Sequence, residues 1–541
     1  MSLSSPGVGS GLDVATLVAT LVKAEITPAQ TRHDNQVTSV KTELSAIGQL
    51  KSVLSNLRTS LTKLSDLSQF YNMKYSMSEQ DYFSTSITAQ ATKGSYQIEV
   101  QKLAQQQSLA SNYLTNTGSG TFTITLGTYN SDKTTFTANA SATPVSITIA
   151  PGSDSLVAVR DAINNSNSGV TAGIVQDSQG SRLALTSTKS GENYAMKISG
   201  DITSLNYDPT TGVNSLTETV AAQNSVVKIN GIMLNQSSNQ LQEAISGVTL
   251  NLKKAEPGKT ITLTVDDNKD QLTSLMNDFV KQYNDSMTFL TNLTGYNSET
   301  KQGGVFQGDP QFRNLKQNLT KWATGPITNG DSPIKSLADL GITSNKQGLL
   351  EINQDKYKKV LENNYKDIGS LFAKTATASD PNIRIKSVNT NVKAGSYDVN
   401  LTEFTPGVSM SGTIGSLSAS SSDGLTLSGS GRLGGLSINI LSGSTGSRGS
   451  ITVNDGIAVQ MNSFLDTYMS TQGDLDLRTA QLNKQVKQLD KAQEAIALRS
   501  DAIQKRYLSQ FTALDSLLTQ MQNTTSFLTQ QLANLPKLNI K

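Results

Sequence analysis

Residues 93–104, KGSYQIEVQKLA, return at 394–405 as AGSYDVNLTEFT. Each stretch carries Gly-Ser-Tyr and then apolar residues at alternate positions, the period of a strand with one buried face. A second pair follows in the same order: GVTLNLKKAEPGKTITLTVDD at 247–267 resembles GLSINILSGSTGSRGSITVND at 435–455. Each closing segment runs straight into an amphipathic helical pattern, 272–287 in one case and 457–469 in the other. Two matching strands in matching order, each pair followed by a helix, describe an internal repeat. The chain is therefore expected to leave a helical stem twice as a β-domain and to return twice.

Outward from these strands, TFTITL (121–126), VSITI (145–149) and LALTST (183–188) keep the alternation, separated by Gly, Asn and Asp turn clusters. This pattern predicts antiparallel sheets buried on one face. The first excursion, 78–266, is long enough for two domains: an outer β-domain (78–114 and 221–266) with a further β-domain (115–220) inserted in it. The second, 380–454, has a centre of Ser, Gly and Leu and predicts one additional small β insertion. Helical pattern fills 46–77, 267–379 and 455–475, with the lone Trp322 on one helix, and these stretches predict the stem.

The ends of the chain carry heptads. Val37, Val40, Leu44, Ile47, Leu54, Leu57, Leu61 and Leu64 alternate steps of three and four, with Lys51 breaking the seam. Upstream, Leu12, Leu17, Leu21 and Ile26 form a shorter amphipathic segment, opened by PGVGSG and expected to stop before Pro28. At the other end Leu482, Val486, Leu489, Ile496, Ile503 and Tyr507 lead into Phe511, Leu514, Leu518, Met521, Thr525, Leu528 and Leu532. The seam shifts once between Tyr507 and Phe511, as a stutter would. Such terminal segments, 1–45 and 476–541, satisfy each other only if the chain returns to where it began; otherwise they pair with other subunits. The fold class read from all this is α+β and multi-domain: terminal coiled coils and a helical stem, with inserted antiparallel β-domains. The candidate coiled-coil or filament contacts are Leu12, Leu17, Leu21, Val40, Leu44, Ile47, Leu54, Phe511, Leu514, Leu518, Met521, Leu528 and Leu532.

Composition excludes much chemistry. The 541 residues exceed what one core of about 250–300 residues supports, yet only 16% are charged and 5% aromatic. There is no Cys, which removes disulfides, thiolate nucleophiles, cysteine-based zinc and iron–sulfur clusters. The one His, His33, lies in the polar stretch QTRHDNQ and is expected at the surface. Forty-five basic residues are scattered among 43 acidic ones for a net charge of +2, without the basic stripe of a nucleic-acid binder. No apolar run of about 18 residues is present to span a membrane. The N-terminus lacks the features of a cleaved secretory signal.

Motif matches fail on context. GSGRLG at 429–434 fits GxGxxG but lies in Ser/Gly-rich strand sequence with no helix after it. PGKT at 257–260 has Lys253 where a phosphate loop needs Gly. Asp266-x-Asn268-x-Asp270 opens like a calcium loop, but Gln271 stands where Gly is required; this reads as a helix entry with Asp270 near the N-cap. An enzyme is not expected, and neither is a metal or cofactor.

The blocks SGLDVATLVATLVKAEITPAQ (10–30), GSYQIEVQKLAQQQSL (94–109), SLADLGITSNKQGLLEINQDKY (336–357) and the long run 476–535 resemble the bacterial flagellar filament cap family, hook-associated protein 2. The resemblance implies a protein secreted through the flagellar type III system and placed outside the cell at the flagellum tip. There it would assemble as a homo-oligomeric ring, a pentamer by the family's pattern, and help exported flagellin fold and polymerise while preventing its loss. The terminal helices would be legs on the filament end and the β-domains a plate. A cytoplasmic export chaperone would bind the C-terminal region. The 380–454 insertion departs from shorter members. Two alternatives stand beside this reading: another axial (hook–filament junction) protein, against which the GSYQIEV and ADLGI blocks argue, and a secreted adhesin binding host mucin or glycans through its β-domains.

Overall fold

The computed structural model describes residues 11, 13–328 and 332–533. Among them the helices are α1 (Val14–Ser65), α2 (Leu156–Asn165), α3 (Lys269–Thr294), α4 (Pro310–Thr324), α5 (Gln354–Asn363), α6 (Tyr365–Phe372), α7 (Ile457–Met469) and α8 (Asp474–Ala533). Two compact units result. One takes the chain up to Phe70 and again from Leu272 onward; the other is Tyr71–Gln271.

In the first unit one core draws on α1 and α3 to α8. Leu50, Leu54, Leu57, Leu61 and Leu64 of α1 are fully buried. The seam here seats Leu50 rather than Lys51, so the expected break is filled by the neighbouring leucine. Phe70 stacks on Phe372 at 5.9 Å, and Phe279 meets Phe372 edge-on at 6.1 Å, an arrangement aromatic quadrupoles favour. The ADLGI block forms the small hairpin Ile342–Ser344 with Leu350–Ile352. It is entered by a turn in which the Asp339 carboxylate accepts from the backbone of Lys335 and Ser336.

The expected stop before Pro28 is not observed: α1 runs unbroken from Val14 to Ser65 with Pro28 inside it. An interior proline costs about 3 kcal/mol. Contacts to α8 on both sides of it, from Glu25 and from Gln30, offset that cost. The N-cap is Asp13, which accepts from Thr16 N–H at 3.0 Å. Asp270 lies in the first turn of α3, near the N-cap as expected; Asn268 just before the helix takes the Gln271 N–H at 3.2 Å while its side-chain amide donates to the Gln271 side chain.

The repeat is visible as strand pairing. Gly94–Lys102 pairs antiparallel with Thr260–Asp267, Gly94 opposite Val265 and Tyr96 opposite Leu263. Gly395–Thr405 pairs with Gly446–Asn454, Gly395 opposite Val453 and Tyr397 opposite Ile451. The registers are the same. In both, the tyrosine hydroxyl donates to the carbonyl four residues earlier, Thr92 at 2.8 Å and Lys393 at 2.7 Å. The ring thus folds back over the glycine, where a Cβ at Gly94 would lie 3.4 Å from it. The flanking pairs match too: Leu252 opposite Phe83, and Ile440 opposite Ile383.

In the second copy all strands form one eight-stranded sheet, and its outermost strands, Thr375–Ala378 and Ile383–Val388, pack side by side. In the first copy they split into five- and three-stranded sheets. Between Gly94–Lys102 and Ser225–Ile229 the first copy carries the inserted domain, where the second has only residues 406–408. That insertion starts earlier than position 115. Ser108–Ser111 pairs with Leu216–Val220 and with Gly180–Ser187, and the domain has its own core. It also holds α2, capped by Ser155, in a region read as strands alone. Two further strands, Met73–Met77 and Thr375–Ala378, lie in stretches read as helical stem. Each pairs with the last strand of its β-domain.

The second β-domain is pinned to the helical core at its base. Buried Lys374 donates to Val392 O at 2.6 Å and to Asp455, and Gly456 N–H returns to Ala373 O. A Cβ at Gly456 would lie 2.3 Å from the Phe372 backbone, so only glycine allows this close return. Because Thr375 and Asn454 are paired neighbours, replacing 376–453 with a short Gly/Ser linker should leave the helical core folded, with α-helical circular dichroism and the core melting transition retained; loss of soluble protein would show the domain to be part of that core. Lys374→Ala strands Asp455 and the Val392 carbonyl, and a loss of about 2–3 kcal/mol in denaturant unfolding is expected, below the full buried-pair value because Asp455 is partly solvated.

Candidate functional site: the paired terminal helices

The two ends of the chain meet. α1 and α8 lie antiparallel, and polar rungs join them across more than four hundred residues of sequence. Arg478 reaches Glu43 at 3.3 Å. Gln30 donates to Gln493 at 2.9 Å. Arg506 bonds Glu25 at 2.7 Å, and the Tyr507 hydroxyl reaches the same carboxylate at 3.3 Å. His33 is not at the surface as its polar neighbours suggested. Its side chain is largely buried, with Nε2 3.0 Å from the Leu489 carbonyl of α8 and Nδ1 3.2 Å from Asp34. A helix carbonyl has a second lone pair free for such a donor, so the imidazole ties the helices together. The contact between His33 Nδ1 and Asp34 holds the Asp34 carboxyl below the usual carboxylate range, helped by Gln30.

The expected contact residues sort into three groups. Val40, Ile47 and Leu54 are buried, and Leu44 packs on the same core. These four lie in the chain's own helical interior, where α1 is surrounded by the helices of its unit. Leu17 and Leu21 are exposed, while Val14 and Val18, one residue off the expected stripe, are buried instead. Leu12 lies outside the described residues. On α8, Phe511 and Leu518 are half-buried, and Leu514 (43%), Met521 (59%), Leu528 and Leu532 (66%) are exposed.

The exposed face of α8 is wider than the 4/3 spacing indicated. Leu517 and Phe527, each beside a stripe residue, are also exposed. Adjacent apolar pairs (517–518, 527–528) were the signal for a two-residue-wide seam. From 516 to 536 there is no Asp, Glu, Lys or Arg, so nothing charged interrupts the face or fixes one partner by ion pairs. Leu518, Met521, Thr525, Thr529 and Ala533 border a shallow open groove along the helix. Such a surface supports helix–helix association and carries no reactive group. Among the described residues there is no cluster of three or more His, Cys, Asp or Glu able to hold a metal ion, and no helix is long and apolar enough to cross a membrane.

Comparison with known proteins gives this architecture a context. The family model for the flagellar hook-associated protein 2 C-terminus matches residues 222–523, and that for its N-terminus matches 10–107. A flagellin hook IN motif matches 121–189, within the inserted domain. Over 98% of both chains, the sequence is 29% identical to flagellar hook-associated protein 2 of Escherichia coli K12 and 27% identical to the A-type flagellar hook-associated protein 2 of Pseudomonas aeruginosa. The structure of the D1-D2-D3 domains of the flagellar cap protein FliD from Escherichia coli superposes with a TM-score of 0.52 at 26% identity, covering 81% of this chain and 99% of that one. With a family model spanning more than half of its length and relatives matching from end to end, this chain belongs to the flagellar hook-associated protein 2 family, the filament cap proteins of the bacterial flagellum.

Proposed function

We propose that this flagellar cap chain engages the filament end through the outer part of α8, residues 511–532. The carrying observation is the apolar face of that segment, uncharged beyond Asp515, which the chain leaves largely exposed while pairing the rest of α8 with α1. Burying each leucine contributes roughly 1.5–3 kcal/mol, so a face of this size gains several kcal/mol on meeting another helix. The partners fitting it are α8 segments of neighbouring copies in a ring, five by the family's pattern, and the terminal helices of exported flagellin. A helical partner held there would shelter arriving subunits while they fold and join the filament. Export through the flagellar type III system, with a cytoplasmic chaperone covering the C-terminal region beforehand, is the route this reading requires. The role is structural rather than catalytic.

The double change Leu514→Asp with Leu518→Asp tests it. The protein should be secreted at the normal level with native β-domains, but filaments should fail to elongate and flagellin monomer should accumulate in the medium. Normal filaments built by the secreted double mutant would refute the assignment. A second expectation concerns the isolated chain: limited proteolysis should cut first within 520–533, where α8 is exposed throughout, and leave 71–271 intact. Early cleavage between 71 and 271 with α8 protected would contradict it.

A further inference from the structure

The strand Ile232–Gln236 ends the five-stranded sheet, with no strand beyond it among the described residues. In the repeated domain its counterpart is Leu417–Ser421: Ile232 pairs with Ile229 as Leu417 pairs with Ile414. That counterpart is not an edge. Thr426–Gly429 lies against it, and the eight-stranded sheet continues. The duplication thus shows that a strand fits at this position, whereas in the first domain the corresponding strand, Gln240–Ile245, stays with the three-stranded sheet and leaves the place beside Ile232–Gln236 open.

Proteins blunt free edges with charge, proline or a bulge. The other lip of the same opening, Gln240–Ile245, is blunted: its register breaks between Leu241 and Ile245, with Glu243 at φ +56°. The Ile232–Gln236 strand has none of these devices. Its sequence is IMLNQ, its pairing with Ser225–Ile229 is unbroken, and Ile232 (70%) and Met233 (64%) stand in solvent. It is held straight by the Asn230-Gly231 turn, both residues at positive φ as a two-residue hairpin requires. The Asn230 amide also donates to Gln97 O at 2.8 Å. That bond sets which groups point outward. Asn230 and Lys228 face the neighbouring strand, so Ile229 and Val227 bond Ile232 and Leu234, and the N–H and C=O of Met233 and Asn235 point away from the sheet.

We propose that this edge pairs antiparallel with the same strand of a second copy of this chain, about a two-fold axis at Leu234. The register is self-complementary. Met233 of each copy exchanges both backbone hydrogen bonds with Asn235 of the other, and Leu234 faces its own copy in the close, non-hydrogen-bonded position. No like charges meet, because the strand has none. Two copies would thereby join their five-stranded sheets into one continuous sheet of ten.

The native absence of cysteine makes the test clean. In a Leu234→Cys full-length chain, the paired Cα atoms would stand about 4.5 Å apart, within the range a disulfide spans. Under mild oxidation Leu234→Cys should give a covalent dimer at least tenfold more abundant than Met233→Cys. Adding Asn235→Pro, which removes an outward amide and no internal bond, should abolish it. Because Leu234 is half-buried, a second route uses exposed sites: Met233→Cys mixed with Asn235→Cys should crosslink to each other in preference to themselves. No dimer by either route, or dimers formed equally well at 233 and 234, would overturn the pairing; oligomers seen by sedimentation without these crosslinks would assign the contact to another surface.

Discussion

Everything in this chain hangs on the antiparallel pairing of α1 with α8, whose contacting residues are up to 482 positions apart. A long lone helix is marginal in water because little of it is buried, so each terminal helix needs a partner, and the partner is at the other end. That requirement constrains all between. Any excursion from the helical body has to leave and re-enter at neighbouring points. The β-domains meet it in one way: their first and last strands are adjacent and antiparallel, Met73 opposite Asp267 and Thr375 opposite Asn454. An antiparallel pair brings entry and exit together whatever is strung between them, which explains how one chain accommodates two such domains at different places.

The same logic operates inside the first domain. The inserted domain enters between Gly94–Lys102 and Ser225–Ile229, which are hydrogen-bonded neighbours; in the second copy the equivalent strands are joined by a short turn. Insertion at a hairpin tip leaves the ladder intact. It also coincides with the opening of the sheet: the copy carrying the insertion is split in two, whereas the uninterrupted copy is continuous. The inserted domain abuts the opening, as Gly191 approaches Ser237 so closely that a Cβ would lie 2.4 Å away.

What could be read in advance followed from local period. The strands around Gly-Ser-Tyr, the α1 seam from Val40 to Leu64 and the repeat are patterns within a few turns or a single ladder, and they hold in the structure. The misses share one cause, that a distant partner decides the outcome. Pro28 sits inside a helix because α8 supports its flanks. His33 is buried because Leu489 offers a carbonyl. Val14 and Val18 replace Leu17 and Leu21 on the inner face, since the facing helix selects the stripe when two apolar rows compete. Met73–Met77 and Thr375–Ala378 are strands only through their pairing and have weak alternation of their own.

The outer part of α8 follows the opposite rule, and this separates its role from that of the rest. Elsewhere most of the large apolar residues are buried in four distinct cores, and the exposed ones are scattered. From Leu514 to Leu532 it leaves leucines, a methionine and a phenylalanine exposed on a helix without one charged residue after Asp515. Such a face lowers solubility and gives the lone chain no stability in return. It is coherent only if the energy of covering it is released in assembly. The absence of charge adds to this: ion pairs at the rim of a seam select one partner and register, whereas Gln, Thr, Ser and Asn beside leucine leave the helix free to exchange partners of similar shape. Under the proposed role, a helix that holds a subunit and then lets it go requires contacts of moderate strength and low selectivity, a requirement that this surface meets.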